Sequence, residues 1–240
     1  MRKIYSLIAA LILCIASTHA QGWEWSAGVG YNLGARTPMG MPAEVRGLNS
    51  YTPQPCFSVG AYSTYMANAK WGARTGLIYE CKGHKAGIEV RNYKLSVTLQ
   101  DDGRKEGYFT GDIENKTMSH YITLPLLAVF RPSDKWDVFG GFYLSWAFSR
   151  KFVGKAHNGS IRETPLHDRI AVRNGTYDYS SDIRKYDIGA KVGAAYYISK
   201  KVSIQAEVQI GFIDQLDPST RKIDQSLYNV FLNIGAAYRL

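Results

Sequence analysis

Val202–Phe212 alternates without a break. Val202, Ile204, Ala206, Val208, Ile210 and Phe212 are apolar; Ser203, Gln205, Glu207, Gln209 and Gly211 between them are polar or glycine. A strand points successive side chains to opposite faces, so this stretch has one apolar and one polar face. The pattern recurs at Trp23–Leu33, Phe57–Tyr65, Trp71–Cys81, Trp136–Phe148, Tyr186–Ile198 and Tyr228–Leu240. Tyr121–Phe130 is apolar on both faces, as in a strand that also fills a barrel interior. Eight strands are predicted, each near the roughly 9–11 residues that a tilted strand needs to cross a bilayer.

The connections sort by length. Ala67–Lys70, Arg131–Lys135 and Ser199–Lys201 are short; Gly34–Pro55, Lys82–His120, Ser149–Lys185 and Ile213–Leu227 are long. Short turns on one rim and long loops on the other are the pattern of outer-membrane barrels. The fold class predicted is all-β: an eight-stranded antiparallel up-and-down transmembrane β-barrel with short periplasmic turns and long extracellular loops. Aromatic residues cluster at both strand ends, with Trp23, Trp25, Tyr65, Trp71, Trp136 and Tyr238 near one rim. Tyr31, Tyr79, Trp146, Phe148, Tyr186, Phe212 and Tyr228 lie near the other, as expected of two interfacial girdles. A soluble periplasmic ligand-binding barrel is the rival reading of the same alternation.

Within Lys82–His120, Leu95, Val97 and Leu99 alternate ahead of the turn Asp101-Asp102-Gly103. Threading this hairpin through the membrane would make ten strands. Its partner Lys105–Ile113 has no continuous apolar face, so a hairpin standing above the rim is expected instead. The closing strand carries Tyr228, Val230, Leu232, Ile234, Tyr238 and Leu240 on one face and is the candidate assembly strand.

The N-terminus supplies the compartment. Arg2 and Lys3 precede the apolar run Ile4–Ala16, and Ser17-Thr18-His19-Ala20 ends it with a small residue. This is the layout of a secretory signal peptide, predicted over 1–20, with the barrel domain at 21–240. No later stretch offers the ~18 apolar residues of a spanning helix. The formal charge is +9, of which Arg2 and Lys3 contribute two. An exported basic chain meets outer-membrane lipid, lipopolysaccharide or an acidic surface ligand rather than nucleic acid, for which no motif is present. The barrel-assembly machinery is the other expected partner.

Candidate chemistry begins in the lumen. The alternation turns Glu24, Arg74, Glu80, Lys191 and Glu207 inward, together with Asp187 and Arg239. Buried charges must pair or coordinate something. A salt-bridged plug closing the lumen is the first reading, and a proton- or ion-conducting path the second. Glu207 is expected to pair with Arg74 or Lys191. No catalytic, cofactor-binding or metal site is predicted. His84, His120, His157 and His167 fall in loops or at a strand edge, and none shares a strand face with a serine and an acid. His157, His167 and Asp168 are too loosely spaced for a metal. Alternation turns Cys56 inward and Cys81 outward, which disfavours a direct bridge. Basic residues of the long connections (Lys82, Lys85, Arg91, Lys94, Arg104, Lys105, Lys151, Lys155, Arg162, Arg169 and Arg173) are candidates for phosphate-bearing or acidic partners.

Three runs carry a resemblance: Thr75–Gly83 (TGLIYECKG), Tyr121–Leu127 (YITLPLL) and Val138–Leu144 (VFGGFYL). In order and spacing they resemble the PorT-like outer-membrane β-barrel family of Bacteroidetes. The resemblance implies an eight-stranded outer-membrane barrel and names no catalytic residue. The family's namesake is associated with protein secretion across the outer membrane. The C-terminus departs from the usual terminal aromatic, ending Tyr238-Arg239-Leu240. The function expected is therefore a non-enzymatic outer-membrane barrel whose loops bind a ligand or stabilise the envelope. A narrow passive channel, an accessory of outer-membrane protein secretion and a lipid-modifying enzyme are the alternatives.

Overall fold

The computed structural model describes residues 22–38, 40, 42–99, 103–164, 168–217 and 226–240. The expected leader at 1–20, Asp101 and Asp102 of the expected turn, and His167 lie outside the described residues. The strands are β1 (Trp23–Thr37), β2 (Val45–Pro53), β3 (Phe57–Met66), β4 (Trp71–Leu99), β5 (Gly103–Ser133) and β6 (Trp136–Arg162). They continue with β7 (Ile170–Val172), β8 (Gly175–Asp178), β9 (Tyr186–Tyr197), β10 (Val202–Gly211) and β11 (Tyr228–Arg239). A single 3-10 turn, Ser180–Asp182, is the helical element among the described residues.

All eleven strands belong to one sheet, and every pairing is antiparallel. Eight of them close a ring: β1, β3, β4, β5, β6, β9, β10 and β11, with β11 returning to β1. The closure runs from Ser26 opposite Arg239 to Thr37 opposite Tyr228. A closed ring leaves its members no unpaired edge.

Alternation decides the faces. On β10, Ser203, Gln205, Glu207 and Gln209 are buried, while Val202, Ile204, Val208 and Ile210 are exposed. The same division gives an outer surface that includes Val29, Val59, Leu77, Leu126, Phe142, Val192 and Ile234, all exposed. An apolar belt of this extent is left uncovered by the rest of the described residues, and water is a poor solvent for it. β5 divides likewise: Tyr121, Thr123, Leu127 and Val129 turn inward, and Ile122, Leu124 and Leu126 outward. Pro125 has no N–H, and the β4–β5 ladder skips from Thr75–Leu126 to Ile78–Thr123 around it.

Three predicted boundaries are corrected. β4, β5 and β6 span 29, 31 and 27 residues, far beyond the stretches with an apolar face. The hairpin within Lys82–His120 is the continuation of β4 and β5, paired from Cys81–His120 to Leu99–Gly103. The connection Gly34–Pro55 contains β2, and Ser149–Lys185 contains β7 and β8. The polar residues of these segments hide the period of two, so the sequence alone gives them the look of loops. Their backbone groups nevertheless find partners in the ladder.

Above the ring, β8 pairs with both β4 and β6, so β4, β5, β6 and β8 close a second, smaller ring. Its interior is an apolar core that includes Val97, Leu99, Phe109, Ile113, Phe152, Ala156, Ile161, Tyr177 and Tyr179. Tyr179 fastens it, donating its hydroxyl to the Ser96 carbonyl at 2.8 Å and accepting from the Ser96 N–H at 3.0 Å.

Candidate functional site

The polar faces of the ring strands meet in the interior as three groups of charges. The middle group forms where β4, β9 and β10 face one another. Lys191 Nζ donates to Glu80 Oε1 at 2.8 Å and to Glu207 Oε1 at 2.9 Å. The other oxygen of Glu80 accepts from Thr123 Oγ1 at 2.8 Å and lies 3.3 Å from Lys82 Nζ. All four charged side chains are buried. The ammonium of Lys82 also lies 5.0 Å from the ring centres of both Tyr121 and Tyr143, a cation–π arrangement. Gly193 makes room for this group, since a Cβ there would come within 2.7 Å of Glu207 Cβ.

The second group lies toward the short turns. Arg131 presents a fork to Glu24, with Nη1–Oε1 at 3.0 Å and Nη2–Oε2 at 2.9 Å, and its Nε donates to Asp137 Oδ1 at 2.7 Å. Arg74 reaches Asp137 Oδ2 at 3.2 Å, Tyr197 donates to the same oxygen at 2.9 Å, and Arg239 lies 3.1 Å from Glu24. Bidentate contacts of this kind fix orientation as well as charge balance.

The third group faces the long connections. Asp187 accepts from Tyr143 at 2.9 Å, Asn229 at 2.8 Å and Gln215 at 3.2 Å. Arg36 donates through Nε to Asn229 at 3.3 Å and through Nη2 to Ser119 and Tyr121, each at 3.1 Å. Above it, His84 Nδ1 accepts from the Arg36 N–H at 3.4 Å and lies 2.9 Å from Thr117 Oγ1. Burial, and then the charge of Arg36, push His84 down to about 4.

The structure thus separates the five residues singled out in the lumen. Glu80, Lys191 and Glu207 meet; Glu24 and Arg74 sit in the second group and communicate through Arg131 and Asp137. Of the two partners expected for Glu207, Lys191 is the one that meets it; Arg74 instead pairs with Asp137 of β6, two strands along the ring and on the same side of the interior. Asp137 is absent from the sequence-derived set although it shares the inward parity of β6. Arg131 falls in an expected turn, yet β5 continues to Ser133 and aims it inward. Lys82 falls among the expected loop cations, whereas the extension of β4 buries it completely.

The remaining candidates are dispersed. His120 hydrogen-bonds Tyr79 at 2.7 Å on the outer face, and His157 stands opposite Asp112 on the β5–β6 ladder. Among the described residues no group of three or more His, Cys, Asp or Glu side chains gathers to hold a metal. Cys56 and Cys81 are both free and buried, and they lie close enough to couple electrostatically. Cys56 precedes β3 instead of belonging to it, so strand parity does not keep the pair apart.

The family model described as outer membrane protein beta-barrel domain matches residues 16–217. Solved structures similar to the chain include Ail of Yersinia pestis in complex with the heparin analogue sucrose octasulfate. That likeness is 14% identical with a TM-score of 0.39, covering 92% of this chain and 100% of that one. A major outer membrane protein of Thermus thermophilus is 14% identical with a TM-score of 0.40, covering 91% and 99%. OprG of Pseudomonas aeruginosa is 13% identical with a TM-score of 0.34, covering 92% and 97%. No curated protein matches the chain. With an apolar belt outside, charges paired inside and a family model spanning most of its length, the chain is an integral outer-membrane protein that belongs to the outer membrane protein beta-barrel domain family.

Proposed function

We propose that the eight-membered ring is an up-and-down transmembrane barrel with a side-chain-filled lumen and no catalytic role. Its short turns face the periplasm, and the extended β4–β5–β6 end binds a ligand or braces the envelope outside the cell. The observation that carries this reading is the paired interior: Lys191 between Glu80 and Glu207, and Arg131 between Glu24 and Asp137, occupy the space that a pore would need. An eight-stranded barrel leaves an interior only wide enough for side chains. Lipopolysaccharide around the belt, and the assembly machinery acting on Tyr228–Leu240, are the partners this reading requires. Membership of the PorT-like family of Bacteroidetes, and cleavage of a leader before Gln21, belong to the same proposal.

Planar-bilayer recording of the purified protein tests it. A closed lumen gives no unitary conductance steps; regular steps would overturn it. A second reading, a narrow passive channel, is favoured by Gln209. Among the described residues neither Nε2 nor Oε1 of its fully buried amide has a partner, as in a side chain lining a water thread. Glu207→Gln separates the two readings, since a plug loses heat stability and a path changes conductance.

A further inference from the structure

A cavity of about 340 Å³ lies where the ring passes into its extension, between the end of β1, β2, and the continuations of β4, β5 and β6. Its volume falls in the range of small-molecule sites, roughly 300–1,000 Å³. Val45, Leu48, Ile88, Tyr93, Phe152 and Leu227 make its walls largely apolar, and the rings of Tyr51 and His84 stack at 6.2 Å along one side. Arg36 lines the same cavity and is only 6% exposed.

Arg36 is incompletely satisfied. Among the described residues its buried Nη1 has no hydrogen-bond partner, and no carboxylate lies within 4.0 Å of the guanidinium. The acid of its network, Asp187, is met only through neutral side chains, by way of Asn229 and by way of Tyr121 and Gln215, and already accepts from three neutral donors. A buried guanidinium with a bare N–H is expensive unless an anion completes it. A second unpartnered polar atom, Oδ1 of Asn115, belongs to another residue of the lining. The amide can present either its oxygen or its NH2 group, since the two assignments are interchangeable. His84, held neutral, adds no competing charge beside the arginine.

We infer that this cavity binds an amphipathic organic anion, its apolar body against Leu48, Ile88, Tyr93 and Phe152 and its charged head on Arg36. The inference rests on reading this end of the molecule as a binding face. It adds the chemical class of ligand. Carboxylate and phosphate-monoester heads share the required chemistry, since both offer paired oxygens to a guanidinium fork.

The test uses the full mature chain in lipid nanodiscs, with empty nanodiscs subtracted. 2-Naphthoate, 2-naphthyl phosphate and the neutral 2-naphthalenemethanol are titrated by their own fluorescence. Saturable binding of one naphthoate per chain is expected, weakened at least about tenfold by Arg36→Gln and by loss of the anionic head. The ranking of carboxylate against phosphate identifies the head. Ala86→Phe, which fills the cavity and leaves Arg36 in place, is expected to abolish binding, and it keeps the test decisive if Arg36→Gln fails to fold. Equal binding of acid and alcohol, or naphthoate binding unchanged in either folded variant, would overturn the inference. Nanodisc incorporation and heat-modifiable electrophoretic migration are read on the same samples. A correctly inserted barrel that does not bind defeats the ligand inference alone, whereas a chain that stays outside the lipid defeats the barrel reading.

Discussion

Replacing Lys191 with Met removes the cation that two carboxylates share. Glu207 loses the one ion pair it has among the described residues, at 2.9 Å, while Glu80 keeps Lys82 at 3.3 Å and Thr123 at 2.8 Å. Lys191 is fully buried and Glu207 nearly so, so solvent offers little compensation. Breaking a buried pair from one side costs about 3–5 kcal/mol, because a charge is left behind. Glu207→Gln alone should cost less, about 1–3 kcal/mol, since Lys191 keeps Glu80 and the amide still accepts a hydrogen bond. In Lys191→Met/Glu207→Gln the stranded charge disappears. The double variant should therefore be more stable than Lys191→Met, with a coupling of about 1–3 kcal/mol. Urea unfolding in lipid vesicles, followed by tryptophan fluorescence, measures all three. Strictly additive losses would refute the reasoning, because they would mean that water or mobile ions already neutralise Glu207.

Other consequences follow from the same structure. His84 is held at about 4 against an ordinary value near 6.5, so it stabilises the fold above pH 6.5 and loses that contribution as pH falls toward 4. The full effect is about 3 kcal/mol. Hydrogen-exchange protection factors in β2 and the outer part of β4, corrected for the intrinsic pH dependence of exchange, should fall across that window, and His84→Asn should flatten the response; a slope that survives the substitution would assign it elsewhere. Phe142→Arg places a charge on the exposed apolar belt and should cost about 2–4 kcal/mol in vesicles, whereas an unchanged midpoint would mean that this face does not meet lipid. The closeness of Cys56 and Cys81 predicts that a diamide-type oxidant bridges them within one chain, seen as loss of alkylation by mass spectrometry. Crosslinking between chains instead would contradict that closeness.

The ring strands are legible because lipid on one side and packed side chains on the other impose a period of two. In Tyr186–Tyr197, Val202–Gly211 and Tyr228–Arg239 the boundaries are found to within a residue, whereas β1 runs four residues past its expected end at Leu33. Asp137 is legible by the same rule and escapes notice because Trp136 and Val138 on either side mark only the outer face. Lys82 and Arg131 are not legible. Each lies where the apolar face stops but the ladder continues, so a lysine and an arginine at a strand end look like solvated loop residues. The end of the apolar face therefore marks the edge of the membrane, not the end of the strand.

That distinction explains why the extended end is unreadable from sequence. Outside the bilayer the outer face of β4, β5 and β6 no longer needs to be apolar, and polar residues such as Lys85, Glu114 and Lys155 occupy it. The inner face stays apolar but takes its partners from β8 and from Phe109 and Phe152, across distances that no local period records. Arg36 sits at the changeover. It is the last inward cation of β1, deep enough for desolvation to matter and high enough for Val45 and Leu48 of β2 to wall in the space beside it. Its burial is a product of β2 folding back onto β4, a pairing with two register irregularities that alternation does not foretell. The interior charges below it are matched by neighbours on ring strands. At the one position where the ring gives way to the extension, matching stops, and that is where the structure leaves room for a molecule other than itself.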